Sequence, residues 1–107
     1  MMADADPKRR EAEEMGEVFG RMLAEQTIEL FGEAITTEEA DATAKVLRSE
    51  IVRVGGEMMD EGIAVSLVIA WGESCARALQ ERLVEHGGHL VDLAKRLAPE
   101  PGGVVPQ

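Results

Sequence analysis

The residues whose types and spacing come nearest to a chemical site are Glu85, His86 and His89, joined by Gly87-Gly88. On an unbroken helix Glu85 and His89 would lie four residues apart on one face, a spacing that two metal ligands can use, with His86 beside them. The glycine pair breaks that geometry. Neither Cys75 nor a second acidic pair is placed by sequence to complete a ligand shell. The expected arrangement is a helix junction, with His86 on a helix edge and His89 partly exposed at the start of the next helix. No metal and no cofactor is expected.

Cys75 is the single cysteine and follows Ser74 inside a helical pattern. A nucleophilic thiol needs a neighbouring base and a lowered pKa, usually beside a helix amino terminus. A mid-helix position supplies neither, so Cys75 reads as a small buried hydrophobe. One cysteine cannot form an intramolecular disulfide, and the redox compartment is left open with cytoplasm the default. Carboxylates are adjacent at Glu13-Glu14, Glu38-Glu39 and Asp60-Glu61, but neighbouring helical residues point in different directions. These are solvated faces rather than an acid and its base. The pairs Gly55-Gly56, Gly87-Gly88 and Gly102-Gly103 follow no strand and lack the lysine of a phosphate loop. With no convergent catalytic set, the chain is expected not to be an enzyme.

The elements that would carry these residues are all helical. Asp6 before Pro7 supplies a capping acceptor and a preset dihedral, so a first helix starts there and is predicted to run to about Glu33. Its apolar stripe is Met15, Val18, Phe19, Met22, Leu23, Leu30, Phe31 and Ala34. Gly16, Gly20 and Ala24 form a small-residue stripe beside it, at a spacing that allows close packing against a partner helix. Thr36-Thr37-Glu38-Glu39 is a capping box for a second helix. Its seam Ala40, Ala44, Leu47, Ile51, Val54 and Met58 alternates steps of four and three. Gly55-Gly56 lies inside that register and costs about 1 kcal/mol per glycine, so a kink or early end is open there; the seam carries the helix to about Glu61, and Gly62 ends it.

A third helix, about Ile63 to His86, has the seam Val65, Ile69, Gly72, Ala76, Leu79, Leu83 and His86. Leu67, Val68 and Trp71 add a second apolar face, which makes this the central helix. After Gly87-Gly88, a short fourth helix from His89 to Ala98 carries Leu90, Leu93, Ala94 and Leu97 and stops at Pro99. No strand signal survives. The fold class is therefore all-α: an elongated bundle of three long helices, rods of about 36 to 40 Å, plus a short C-terminal one. Residues 1-98 form a single helical domain, and 99-107 are expected to be a mobile Pro- and Gly-rich tail. Small acidic helical hairpins of the ESX family are similar in length, but their Trp-x-Gly turn motif is unmatched: Trp71-Gly72 is contiguous and falls within a helix. Nothing of that family is carried over.

The composition narrows the function classes. Among 107 residues, 21 acidic and 11 basic side chains give a charge of −10, with 45% hydrophobic and only 3% aromatic content. Direct nucleic-acid binding is disfavoured, because such affinity comes from Lys and Arg neutralising phosphates; Lys8-Arg9-Arg10 is the one basic run and reads as a solvated first turn. No apolar run approaches the ~20 residues of a membrane span, and the amino terminus lacks a signal-peptide core. The absence of Asn and Tyr, with Arg outnumbering Lys, suggests a GC-rich bacterial or phage genome. With Phe19, Phe31 and Trp71 as its only aromatic bulk, a monomer has a thin core that a second copy would thicken. The expected function is a non-catalytic acidic scaffold, adaptor or small chaperone that self-associates and binds another protein. Its contact residues are expected at Val65, Ile69, Gly72, Ala76, Leu79 and Leu83 of the third helix and Gly16 and Gly20 of the first. The alternative is an acidic inhibitor, consistent with a phage origin, that competes with nucleic acid for a basic protein surface.

Overall fold

The computed structural model describes residues 6–97; the expected tail at 99-107 lies outside them. Four helices, α1 (Pro7–Phe31), α2 (Thr37–Asp60), α3 (Val65–His86) and α4 (Leu90–Leu97), take up 86% of the described residues, and no strand occurs among these. The all-α bundle of three long helices and one short one is as the sequence predicts. It measures 44 × 35 × 28 Å.

Local chemistry sets the helix ends. Asp6 caps α1, its carboxylate accepting from the Lys8 amide at 3.0 Å. At α2 both halves of the capping box form: the Glu39 amide donates to Thr36 Oγ1 at 3.1 Å, and the Thr36 amide donates to the Glu39 carboxylate at 2.9 Å. α1 ends at Phe31 rather than Glu33, with the Gly32 amide closing the last turn on the Ile28 carbonyl. α3 starts at Val65 rather than Ile63 because Ile63 belongs to the end of α2. Its amide donates to the Met58 carbonyl and that of Gly62 to Met59, with Gly62 at φ +95°; this is the paired closure of a helix by a left-handed glycine.

α2 passes through Gly55-Gly56 without a break. Gly55 is buried beneath Val68 and Trp71, and a Cβ on it would stand 3.3 Å from Val68 Cγ1, so packing offsets the weak helical propensity of the pair. α3 is the central helix, packing on α1, α2 and α4. Residue pairing fixes directions. Glu13 pairs with Ser74, Gly16 with Trp71, Gly20 with Cys75 and Glu25 with Arg82, so α1 and α3 run parallel and α2 returns between them in the chain.

The core is built on Leu79, Leu83, Leu90, Leu93 and Cys75, with Leu23, Ala24, Ala44 and Leu47 around them. α4 buries Leu90, Leu93, Ala94 and Leu97, the stripe expected of it. It is tied to α2 through Arg96, which Asp92 holds from within α4 and which pairs with Asp41 of α2, and through Arg48 of α2, which donates to the Arg96 carbonyl.

The face of α1 that packs differs from the stripe the sequence suggests. Ala12, Gly16, Gly20, Leu23, Ala24 and Thr27 are buried, while Met15, Val18, Met22 and Leu30 stay exposed. The approach to α3 is too close for large side chains: a Cβ on Gly16 would fall 2.2 Å from the Trp71 carbonyl oxygen. The two polar side chains buried nearby are satisfied on helix carbonyls. Ser74 Oγ donates across to Glu13 O at 2.6 Å, and Thr27 Oγ1 donates to Leu23 O at 2.8 Å.

Candidate functional site

With the small-residue face of α1 against α3, the large apolar residues of α1 look toward α2 across a gap. The gap is an open groove of two hollows that share Met22. The first, ≈ 710 Å³, is walled by Met15, Val18 and Met22 of α1 and by Val54 and Met58 of α2, with Phe19 and Trp71 at its floor. Those two rings lie 5.5 Å apart at 33°, a tilted aromatic pair that holds the floor in place. The second, ≈ 450 Å³, continues past Leu23, Thr27, Leu30 and Phe31 of α1 and Val46 and Leu47 of α2. Polar groups are few. Glu11, Glu14 and Glu61 rim the first hollow, and Glu50 with Gln26 and Thr43 the second.

A second apolar surface lies on the opposite side of α2. Val52, Met59 and Gly72 share a shallow hollow of ≈ 230 Å³, and Val65 and Ile69, on the same face of α3 as Gly72, are 58% and 54% exposed. The expected contact residues therefore part company. Val65 and Ile69 are on the surface, and Gly72 and Ala76 are half-buried. Leu79 and Leu83 are core residues of the chain itself. Gly16 and Gly20 are covered by α3 of the same chain and are not available to a second copy. That is a correction to the expected contact list, and its cause is that a helix apolar on two faces turns the more closely packing one inward. The groove residues Met15, Val18, Met22 and Leu30 belong to the apolar stripe that periodicity picks out on the first helix, and the signal for their exposure is the small-residue stripe beside them.

The hollow between α3 and α4, ≈ 530 Å³, is lined by Val84, Val91, Gln80, Glu81, Glu85 and Lys95 with Ala94. Its amide is already engaged, Gln80 Nε2 donating to Ala94 O at 3.2 Å.

The residues with chemical spacing are drawn apart. Glu85 is 4.0 Å from Arg82. His86 Nε2 lies 3.3 Å from the Gly32 carbonyl at the end of α1, where a donor answers an open helix carbonyl. His89 is exposed ahead of α4. Among the described residues no three His, Cys, Asp or Glu side chains are grouped to hold a metal ion. Cys75 is fully buried, as read from its position, and burial pushes its thiol up to about 12, the reverse of nucleophile activation. The Arg53 guanidinium, hydrogen-bonded to Glu50, holds that carboxyl below its usual value.

No described helix is long and apolar enough to cross a membrane. No family model matches the chain, and neither a curated protein nor a solved structure is found to match it.

Proposed function

We propose that the chain is a non-catalytic docking protein, a scaffold, adaptor or small chaperone, which holds a partner protein in the α1/α2 groove and pairs with a second copy through the outward face of α3. The observation that carries this reading is the orientation of α1. It gives its small residues to α3 and leaves Met15, Val18, Met22 and Leu30 in water, an arrangement that costs hydrophobic stabilisation unless something covers them. Methionines at Met15, Met22 and Met58 suit a surface that reshapes itself around a ligand. For self-association the support is Val65 and Ile69 beside Val52 and Met59, all exposed, a patch that a two-fold axis could set against itself.

Sedimentation equilibrium of the full chain at micromolar concentration tests the pairing. The expected result is a dimer, converted to monomer of unchanged helicity by Ile69→Arg, which places an unpaired charge in the contact. A monomer in the unsubstituted chain would refute self-association. A dimer that survives Ile69→Arg would remove the contact from this face.

A further inference from the structure

We infer that the occupant of the α1/α2 groove is a cationic amphipathic helix of a partner protein, an inference that rests on the docking reading above. Every charged residue lining the groove is a carboxylate: Glu11, Glu14 and Glu61 at one end and Glu50 at the other. Glu50 is engaged by Arg53 at 2.6 Å. Among the described residues, Glu11, Glu14 and Glu61 form no ion pair within 4.0 Å, as is also true of Glu29 on α1 and of Glu38 and Asp60 on α2 outside the groove. Of the charges that line the apolar trough itself, the uncompensated ones all lie at one end. A ligand that fits has an apolar stripe for the walls and Lys or Arg at the end that meets these carboxylates.

The shape selects a helix. The groove runs along α1 from Glu11 to Phe31, about 30 Å at ~1.5 Å per residue, and it has α1 and α2 as walls, with Trp71 of α3 in the floor of its first hollow, the shape that a further long helix fills in a bundle. A bound strand would find no backbone partners there, since the amides and carbonyls of both walls are used within their helices. A second copy fits poorly, because it brings a charge of −10 to an acidic rim.

Trp71 is the single tryptophan and lines the groove floor, so its fluorescence reports occupancy in the full-length chain. The probes are helical peptides of about 18 residues, long enough to fill most of the trough, with one Leu/Ala stripe and an outer face of Lys, Gln or Glu, and a scrambled Lys peptide lacking the stripe. The Lys peptide is expected to bind about tenfold more tightly than the Gln peptide at low salt and the Glu peptide more weakly still, with the gap closing as salt screens the charges. Glu11→Gln, Glu14→Gln and Glu61→Gln together should abolish the Lys advantage and leave the Gln peptide unaffected. Met15→Ser with Val18→Ser should weaken the Lys and Gln peptides alike, in a chain of unchanged helicity.

Equal affinities for Lys and Gln peptides would overturn the cationic assignment and leave groove docking standing. Failure of every peptide to bind would overturn both. Scrambled Lys peptide binding as well as the striped one would reduce the effect to bulk charge attraction and overturn the inference. So would a dimer that dissociates on Met15→Ser with Val18→Ser, which would make a second copy the occupant.

Discussion

The α-carbon of Gly20 rests against the carbonyl of Cys75, so closely that a Cβ there would lie 2.2 Å from the oxygen. The obstruction is backbone, which cannot swing aside as a side-chain tip can. Gly16→Ala and Gly20→Ala are therefore each expected to destabilise the chain by about 2 kcal/mol, the overpacking penalty exceeding the ~1 kcal/mol that alanine gains in helix propensity. Urea melts followed by circular dichroism decide this; a variant as stable as the parent would mean that α1 and α3 can separate at little cost.

Gly56→Ala should act in the opposite direction. Gly56 lies within α2, with nothing inside 4 Å of an added Cβ. The substitution is expected to raise stability by about 0.5 to 1 kcal/mol, a midpoint shift measurable beside the α1 glycine variants.

Two leucines on apolar stripes should respond very differently to truncation. Leu83 is 0% exposed and Leu30 is 75% exposed. Leu83→Ala is expected to cost about 2 to 5 kcal/mol through lost burial and a residual cavity, while Leu30→Ala should stay within ~0.5 kcal/mol. Comparable losses at both sites would mean that Leu30 is covered in solution.

The buried thiol makes stability fall at alkaline pH. With Cys75 raised from 9.0 to about 12 in the folded chain, the unfolded chain ionises first as pH rises. The contribution is fully present below about pH 9 and is lost progressively toward pH 12. Cys75→Ala should flatten that part of the pH profile. In the parent at pH 8 a thiol reagent should label Cys75 only after denaturant is added, and rapid labelling of the native chain would contradict the burial.

Removing the α2 cap should be felt at one helix end alone. Thr36→Ala breaks the capping box and is expected to cost about 1 kcal/mol. Hydrogen exchange should quicken first at Thr37 to Ala40, with the α1 to α3 contact unaffected.

Much of the fold is legible in the residues. Asp6-Pro7, the Thr36 to Glu39 box and Gly62 each mark a boundary by a backbone requirement that few other residue types meet. The α2 seam is legible in its first half, where Ala40, Ala44 and Leu47 are buried, while Val54 and Met58 further along wall the groove. α1 and α3 are harder to read, and for one shared reason. Ranking residues by hydrophobicity points to Met15, Val18 and Met22 on α1 and to Val65 and Ile69 on α3, but where two backbones touch, the buried residues are those with the least side chain. Gly16 and Gly20 carry no apolar weight, so periodicity passes over them. On α3, apolar on most sides, the buried face turns by about one residue, to Val68, Trp71 and Cys75. The groove follows from that rotation: the stripe Gly16, Gly20 and Ala24 marks a close-packing face, but only the pairing with α3 decides that this face, and not the methionine face, turns inward.

The parallel pairing of α1 with α3 also governs how the chain must fold. The residues that meet are far apart in sequence, 61 positions from Glu13 to Ser74 and 57 from Glu25 to Arg82. A helical hairpin can zip from its turn, but here the closest-packed contact must wait for a loop of more than half the chain to close. During synthesis α1 emerges with its glycine face bare and has no mate until most of α3 has left the ribosome. Compared with an antiparallel bundle of this size, refolding should be slower, with its rate set by the encounter of α1 and α3 rather than by helix formation.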